Sequence, residues 1–328
     1  MERMKLGALL GKIESTYGTD PTPTGGSNAI PMVRESGFYE AEGDYLARII
    51  LDGGLSELPG DNAQPRAKIK FSVELLGNGS IQDGATVHAY LSPLLKSCDM
   101  SETATAESTG GAADGYITYN PSFSATAEGS SMTFYAYTGL KLHKVTGAKG
   151  TFKMRWEAGK RCYLDFEFTG IYNAPTDASI PSLTFAYTNK PPLFVSASTL
   201  TWGSYTPVIS RVNFDIGNKI GMRPDATAAT GIAGFCVTDR SITGDFDPES
   251  KAEATSPMWA DWRTPTLRTL TAVLGSTAGS RFTITTTCVP TNVNYADRNE
   301  TRIHQVQLRV VKTNIGTANG AEFALKMH

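Results

Sequence analysis

Apolar and polar side chains alternate along most of this 328-residue chain, and that period of two constrains its fold more than any other feature. The segment AKIKFSVEL, residues 67–75, puts its apolar side chains on one face and its charged and polar side chains on the other. The segment RCYLDFEFTGIY, residues 161–172, repeats the pattern. Successive side chains of a strand point to opposite faces, so this alternation is typical of half-buried strands. The sequence therefore predicts a mainly β protein.

Two segments predict helices. SPLLKSC, residues 92–98, is short and mostly apolar, and TPTLRTLTAVLG, residues 264–275, combines an apolar stripe with helix start and stop signals. In the second segment Thr264 can cap the helix, Pro265 suits its first turn and Gly275 suits its end. Small and polar residues fill long stretches between the predicted strands, which we expect to be loops or arms. These stretches are residues 52–66, 77–86, 100–130 and 223–231.

Charge and cysteine usage argue against several classes of function. Thirty basic and 32 acidic side chains give a net charge of −2, so the chain as a whole has no general attraction for nucleic acid or an anionic membrane. No run of apolar residues is long enough for a membrane span, and we expect no membrane partner. The four cysteines are far apart and lack C-x-x-C spacing, which argues against a zinc or redox site.

Candidate catalytic groups are few. The chain lacks the short motifs of nucleotide-binding loops, serine nucleophiles and zinc proteases, and its four histidines are scattered. Asp165 and Glu167 are two residues apart on one strand face, about 7 Å, which is within the range of a glycosidase pair. Asp245 and Asp247 alternate as in a calcium loop, but the remaining ligands are missing. We interpret these acids as solvent-exposed and predict no enzyme, no metal site and no cofactor.

The segment LLGKIESTYGTDPTPTGGSNAI, residues 9–30, is the most specific motif in the chain. It resembles the start of the tail tube, or major tail, proteins of long, non-contractile-tailed bacteriophages, in which an N-terminal strand leads into such an arm. FEFTG, residues 166–170, is similar to a strand of tube domains. The resemblance implies that the polar segment is an inter-ring docking arm. Its residues are Tyr17, Gly18, Thr19, Asp20, Pro21, Pro23 and Asn28.

The resemblance also implies the domain organisation. We expect two tail-tube-type β-sandwich or barrel domains, each with a short flanking helix, together with long polar arms and loops. The N-terminal strand and docking arm would occupy residues 1–45, the first tube-like domain residues 46–190 and the second residues 191–328. The boundary is placed at TNKPPLF, residues 188–194, because consecutive prolines stiffen the chain and stop a central strand.

A weak echo between residues 159–172 and 279–292 supports a duplication of the tube domain. Three such chains would form a homotrimeric, pseudo-hexameric ring. The alternative is one tube domain followed by an immunoglobulin-like decoration, with six chains in each ring. The helix predicted at residues 264–275 argues against that alternative, because immunoglobulin-like sandwiches have no such helix between strands.

As a tube subunit, the chain would form stacked rings through which DNA passes into the host, with DNA only as cargo. A lumen that does not bind phosphates should be acidic or neutral. The candidate lumen lining is Asp165, Glu167, Asp245 and Asp247. The expected partners are further copies of the chain and the tape-measure, tail-tip and tail-terminator proteins. The expected location is the virion tail, assembled in the host bacterial cytoplasm.

Two other classes of function stay open at this stage. A glycan-binding or glycan-hydrolysing β-protein, of the tail fibre or lectin class, would depend on Asp165 or Glu167. A sheath-like or type VI secretion ring protein would assemble into isolated rings or a contractile layer. The motif at residues 9–30 favours the tube subunit, although the ring proteins share its fold.

Overall fold

The protein is mainly β, as the alternation predicts. The computed structural model describes residues 7–33, 38–51, 53–77, 88–106, 115–122, 129–185, 199–276, 279–313 and 322–328. These residues contain eighteen strands and two short helices, which confirms the predicted fold class. Neither helix of this described part is long and apolar enough to cross a membrane.

The strands divide into a first and a second half of the chain. Those of the first half are β1 (Gly7–Ile13), β2 (Tyr39–Arg48), β3 (Leu58–Glu74), β4 (Met100–Thr105), β5 (Tyr116–Pro121), β6 (Met132–Thr138), β7 (Lys141–Glu157), β8 (Tyr163–Tyr172) and β9 (Thr176–Asp177). Those of the second are β10 (Thr199–Trp202), β11 (Arg211–Asp215), β12 (Asn218–Pro224), β13 (Ile232–Arg240), β14 (Thr243–Phe246), β15 (Arg268–Leu274), β16 (Phe282–Arg298), β17 (Thr301–Val310) and β18 (Phe323–Met327). The helices are α1 (Leu91–Ser97) and α2 (Met258–Arg263).

The strands pair antiparallel into one large sheet. Its order is β2-β3-β8-β7-β11-β14-β17-β16-β18-β5-β4, and the described strands do not close into a barrel. The two halves join where β7 pairs with β11 through five residue pairs, from Arg211 opposite Glu157 to Asp215 opposite Lys153. The strands β12 and β13 form a separate two-stranded sheet.

The main core lies on one face of this sheet, and a smaller apolar cluster on the other face of β1 and β6 packs against residues 178–185. In the first half the rings of Phe71, Phe166 and Phe168 stack with centroids 5.6 to 6.1 Å apart, and Phe134 packs against Phe168 at 4.8 Å. In the second half Trp202 packs against Phe246. Each fully buried side chain of this size stabilises the fold by about 2–3 kcal/mol relative to an exposed one. Alternate residues of each strand supply this layer, which leaves the other residues for the opposite face.

The second half repeats the strand pairings of the first. In the first half β1 pairs with β6, β6 with β7, β7 with β8, and β3 with β8. In the second half β10 pairs with β15, β15 with β16, β16 with β17, and β14 with β17. The echo between residues 159–172 and 279–292 aligns β8 with the start of β16, whereas the equivalent of β8 in these pairings is β17. The register of that echo is therefore wrong.

One of the two predicted helices is wrong. The first corresponds to α1, which buries Leu91, Leu94 and Leu95. Residues 264–275 instead contain the strand β15, in which Leu270, Ala272 and Leu274 are buried on alternate positions. This stretch satisfies both periods, and pairing with β10 on one side and β16 on the other selects the strand. The short helix of this half, α2, precedes it.

Two of the predicted loops contain strands. Residues 52–66 include the first part of β3, and residues 100–130 include β4 and β5. The first part of β3 has a loop-like composition because it forms a hairpin with β2 whose residues are largely exposed and do not face the core. Most of residues 77–86, and the boundary at 188–194, lie outside the described residues. Residues 225–231 form the turn between β12 and β13.

Candidate functional site

The face of the sheet opposite the main core is polar from β3 to β17, and so in both halves of the chain. Asp165 of β8 lies between Ser72 of β3 and Lys153 of β7, and Asp245 of β14 lies between Asn213 of β11 and Gln307 of β17. We call this the polar sheet face. It consists of Lys70, Ser72, Lys153, Arg155, Asp165, Glu167, Arg211, Asn213, Asp215, Asp245, Gln305 and Gln307. Where the halves join, the face forms an open cavity of about 700 Å³.

Every acid of the polar sheet face has a cationic partner. Glu167 lies 3.9 Å from Lys70, Asp215 lies 3.0 Å from Lys153, and Asp245 lies 3.5 Å from Arg211. Asp165 accepts hydrogen bonds from Arg155, at 2.6 Å from Nη2, and from the Ser72 hydroxyl at 2.5 Å. The hydrogen bond to Asp215 raises the pKa of Lys153. Four acids and four bases compensate one another, so the face is close to neutral.

Asp247 lies apart from the other three predicted acids. Its side chain is buried, and its carboxylate accepts hydrogen bonds from the backbone N–H groups of Ser210 and Arg211 at 2.8 Å and from Arg298 at 3.1 Å. This carboxylate joins the segment before β11 to the end of the β16 hairpin. Because it is buried, Asp247 does not contribute to the polar sheet face, unlike the other three acids of the predicted lumen lining.

The segment after β1 folds back on its own chain through one buried carboxylate. Glu14 accepts hydrogen bonds from the backbone N–H of Gly18 at 2.7 Å and of Gly147 at 2.7 Å. It also accepts hydrogen bonds from the hydroxyls of Ser131 at 2.6 Å and Thr133 at 2.5 Å. Four donors from three parts of the chain converge on this side chain, which is only 7% exposed. Glu14 thereby anchors the start of the predicted arm.

Tyr17 links the arm to both halves of the chain. Its hydroxyl donates to the carbonyl of Gly147 at 2.8 Å and accepts from the N–H of Phe235, in β13, at 2.6 Å. The ring fits between two glycines: a Cβ at Gly147 would lie 2.8 Å from it, and one at Gly234 would lie 2.5 Å from it. Burial raises the pKa of Tyr17 to about 12, so the hydroxyl keeps its proton at neutral pH.

Asp20 attaches the middle of the arm to β6 and β7. Asp20 accepts from the Tyr135 hydroxyl at 2.5 Å and from Lys144 at 3.1 Å. Burial opposes ionisation of Asp20, but hydrogen bonds from Tyr135, Thr22 and Lys144 outweigh it and lower its pKa.

The end of the arm is held mainly by the backbone. The Lys12 ammonium donates to the Pro21 carbonyl at 3.0 Å, and Asn28 accepts from the Thr24 N–H at 3.0 Å. Gly11 donates to the Asn28 carbonyl, which adds the segment to the edge of β1. Pro23 is buried. The exposed residues of the arm are Thr19, Thr22, Thr24, Gly26 and Ser27.

Sequence reasoning missed Glu14 and the cations of the polar sheet face. Nothing near Glu14 in the sequence indicates that Ser131, Thr133 and Gly147 converge on it. For the cations the sequence does carry a signal. Lys153 and Arg155 alternate with Met154 and Trp156, as the residues of a half-buried strand do, which places the two cations on one face. Among the described residues no group of three or more histidine, cysteine, aspartate or glutamate side chains could hold a metal ion.

Comparison with known proteins identifies the family. The family model of phage tail tube proteins matches residues 5–320, nearly the whole chain. No curated protein matches. The resemblance carried by residues 9–30 is thus confirmed, and the match extends it to both halves. The chain belongs to the phage tail tube protein family, and it is a structural component of the virion tail.

Proposed function

We propose that copies of the chain close into rings, and that the rings stack into the tube through which DNA passes into the host. The observation that carries the proposal is the joint between β7 and β11, by which the second half extends the sheet of the first. A contact that joins one unit to a second like itself, using two different edges, can be repeated between chains until the ring closes. Closure would also protect the edge strands that a single chain leaves open.

The counterpart edges for a joint between chains can be named. In the second half β11 pairs with β14, with Val212 opposite Phe246. In the first half Met32 forms the corresponding bridge to Val73 of β3. The counterpart of β7 is β16, whose residues 293–298 pair only with β17 among the described strands. We infer that the chain around Met32 in one copy pairs with this part of β16 in the next.

The repeated pairings favour three copies in each ring. Each chain would contribute two five-stranded units, so a homotrimer would give the pseudo-hexameric ring, with β1 joined to the tube-like domain of residues 46–190 and the second domain in residues 191–328. An immunoglobulin-like decoration in six-chain rings is less well supported, because the second half repeats four pairings of the first and has its own short helix. Family membership favours this structural role, without turnover of a substrate, over the glycan-binding and secretion-ring hypotheses.

In this ring the polar sheet face would line the lumen. Asp165, Glu167 and Asp245 belong to it, and compensation by the neighbouring cations keeps it from attracting DNA phosphates. The docking arm would contact the adjacent ring through its exposed residues around Thr19 and Thr24, while Glu14 and Tyr17 hold it to its own chain. The tape-measure, tail-tip and tail-terminator proteins would meet the tube at its ends, with assembly in the host bacterial cytoplasm.

A variant of β16 tests the ring. Tyr295 lies in residues 293–298 and is 55% exposed. Its ring also packs against Trp259 and His304, so the melting temperature of Tyr295→Glu is measured beside its ring yield to separate a loss of fold from a loss of contact between copies. In a ring the new charge would be buried between copies, and we expect the yield of rings to fall about tenfold or more. Negative-stain electron microscopy of the concentrated protein measures this, with symmetry taken from end-on views.

The matched control for the ring is Leu140→Glu, an exposed apolar position away from either edge. Its rings should equal those of the wild type in number and size. Undiminished ring formation by Tyr295→Glu would remove β16 from the interface. A wild-type protein that stays monomeric at every concentration and salt, even with tail-tip complex added as a nucleus, would contradict the ring itself.

A charge reversal tests the conduit. Asp165→Lys combined with Glu167→Lys raises the charge at each of the two positions by two units and makes the neutral face basic. Rings should still form, because both positions lie on a polar face. DNA release from virions that carry this variant should slow roughly tenfold at low salt and recover as salt rises, since basic linings bind phosphates.

The control for the charge reversal is Asp165→Asn with Glu167→Gln, which removes the acids without adding cations and should slow release much less. The measurement is the rate of DNA release after receptor is added, at several salt concentrations. Release at the wild-type rate in low salt would mean that this face does not line the DNA path.

A further inference from the structure

The hairpin of β2 and β3 ends in an exposed apolar surface. Of the eleven large apolar side chains that are exposed in the described part of the chain, six lie here. We call these six the apolar tip: Tyr45, Leu46, Ile49, Ile50, Leu51 and Leu55. Leu51 and Leu55 are as exposed as in an extended chain. A concentration of exposed apolar side chains of this kind at one hairpin indicates a surface that another molecule covers.

The second half contains a hairpin at the equivalent position. Unlike the apolar tip, that hairpin is already covered by other parts of the chain. The pair β11–β14 continues into β12–β13 through a bend, where the Ser241 N–H donates to the Gly217 carbonyl at 3.2 Å. In the first half the bridge of Met32 to Val73 likewise continues into β2 and the first part of β3, with Tyr39 opposite Ile69. The hairpins β2–β3 and β12–β13 are therefore counterparts.

The β12–β13 hairpin docks on the first half of its own chain. The Asn218 side chain donates to the Gly150 carbonyl at 3.0 Å, and the Phe235 N–H donates to the Tyr17 hydroxyl. At the far end Gln64 of β3 reaches the Gly231 carbonyl at 3.5 Å. β13 also packs against β7 and β8, and its Phe235 is buried. The first unit thus receives the hairpin of the second unit, which follows it along the sheet.

The corresponding place on the second half is open. In the second half, β13 and β14 together correspond to β3, and β17 corresponds to β8. A cavity of about 640 Å³ lies between β13 and the end of β17. Its apolar lining comes from Val237, Ile242, Val310 and Val311. The rest of the lining is polar or charged and includes both basic and acidic side chains, namely Arg240, Arg309, Lys312, Asp99, Asp239 and Glu322. Strand β2, which leads into the apolar tip, lies seven strand spacings from β16 along the sheet, or roughly 33 Å. The cavity is therefore far from the apolar tip of its own chain.

We propose that the apolar tip of each copy docks on the second half of the neighbouring copy in the same ring, in the cavity between β13 and β17. The proposal rests on the ring described above. Ile49, Leu51 and Leu55 supply apolar contacts for Val237 and Val311 in the cavity. The docked β12–β13 hairpin is the template, so every unit of the closed ring covers its neighbour in the same way.

Cross-linking between chains tests the contact. One chain carries Leu55→Cys and another Lys312→Cys, both with Cys236→Ser, because the other three native cysteines are buried. Mixed in assembled rings, the two chains should be joined by a short bis-maleimide into a covalent dimer, and neither chain alone should form it. Leu140→Cys replaces Leu55→Cys in the matched control and should form no dimer with Lys312→Cys.

Charging the tip tests its importance. Ile49→Asp, Leu51→Asp and Leu55→Asp together should leave the melting temperature of the monomer unchanged, because these side chains are exposed. Ring yield should fall at least tenfold, while Leu140→Asp keeps the wild-type yield. Normal rings from the charged tip, or a cross-link that forms in stacked tubes but not in isolated rings, would overturn the docking and leave the ring proposal standing. Absence of rings from the wild type would instead defeat the ring proposal on which the docking depends.

Discussion

Replacing Glu14 with alanine is expected to lower the free energy of unfolding by about 4 kcal/mol, because the substitution leaves four buried donors without their acceptor. The donors are two backbone N–H groups, of Gly18 and Gly147, and the hydroxyls of Ser131 and Thr133. Hydrogen bonds to a charged group are stronger than those between neutral groups, which adds to the loss. Urea denaturation of the wild type and the variant at pH 7 measures the difference.

Two further variants separate anchoring from a general effect of losing an acid. Glu14→Gln keeps the shape but turns an amide N–H₂ toward the same donors, so we expect an intermediate loss of about 2 kcal/mol. Glu40→Ala, at an exposed position of β2, should change stability by less than about 0.5 kcal/mol. A loss of less than about 1 kcal/mol in Glu14→Ala would show that the carboxylate does not anchor the arm.

The same variant bears on assembly. If the arm contacts the adjacent ring, loosening its attachment at Glu14 should reduce stacking more than ring closure, because the ring joint uses the edges of the sheet and not the arm. Short stacks or isolated rings of Glu14→Ala in electron micrographs are the expected result. Deleting the whole segment would be a poorer test, because Glu14, Ala29 and Ile30 are buried in the fold of the single chain.

Lowering the pH from 7 to 4 is expected to remove about 3 kcal/mol of stability through His88 alone. The ring is fully buried just before α1, and burial lowers its pKa to about 4. Its Nε2–H donates to the Leu76 carbonyl at 2.7 Å, and its Nδ1 accepts from the Leu91 N–H at 3.4 Å, which defines a neutral tautomer. The Tyr90 ring lies edge-on against the His88 ring, with ring centroids 4.6 Å apart.

The sign follows from proton uptake. Unfolded His88 binds a proton below its ordinary pKa near 6.5, whereas folded His88 stays neutral until about pH 4. The unfolded state therefore binds more protons in this window, so the contribution is fully present above pH 6.5 and is lost as the pH falls toward 4.

Comparison of pH profiles isolates this histidine from the other titrating groups. His88→Gln keeps a donor for Leu76 but cannot titrate, so its free energy of unfolding should depend less on pH between 6.5 and 4 than that of the wild type. His143→Gln is the matched control, because burial also lowers the pKa of His143 but its ring is only half-buried. Parallel profiles for the wild type and His88→Gln would mean that His88 is already solvated when folded.

Local patterns predicted the strands better than their partners. The alternation in residues 67–75 and 161–172 corresponds to β3 and β8, and it also indicates which side chains face the core. The helix predicted at residues 264–275 was wrong because a stretch of leucine, threonine and valine fits a helical stripe and an alternating strand equally well. Only the presence of β10 and β16 on either side selects β15. The edge strand β4 was missed because its small, polar residues carry little signal, and β5 was missed although its residues alternate between buried and half-buried positions.

In the candidate site as well, local alternation predicts some features, and others depend on tertiary structure. Alternation alone brings Asp165 and Glu167 to one face, and it would bring Asp245 and Asp247 to one face as well if β14 continued. β14 ends at Phe246, so Asp247 turns inward and meets Arg298. The compensation of Asp165 by Arg155 depends on the register between β7 and β8. Residues that are ten positions apart in the chain become neighbours only through that register.

The sequence by itself determined that the chain is mainly β, which side of many strands faces the core, and, through residues 9–30, the family to which it belongs. These properties are local, because the direction of a side chain in a strand depends on its immediate neighbours and a motif is read residue by residue. Only the tertiary structure decided that the polar sheet face is neutral, that Glu14 and His88 are buried, and that one hairpin is covered while its counterpart is exposed. Those properties depend on which distant strands pair and in what register, and the packing of many side chains together selects that arrangement.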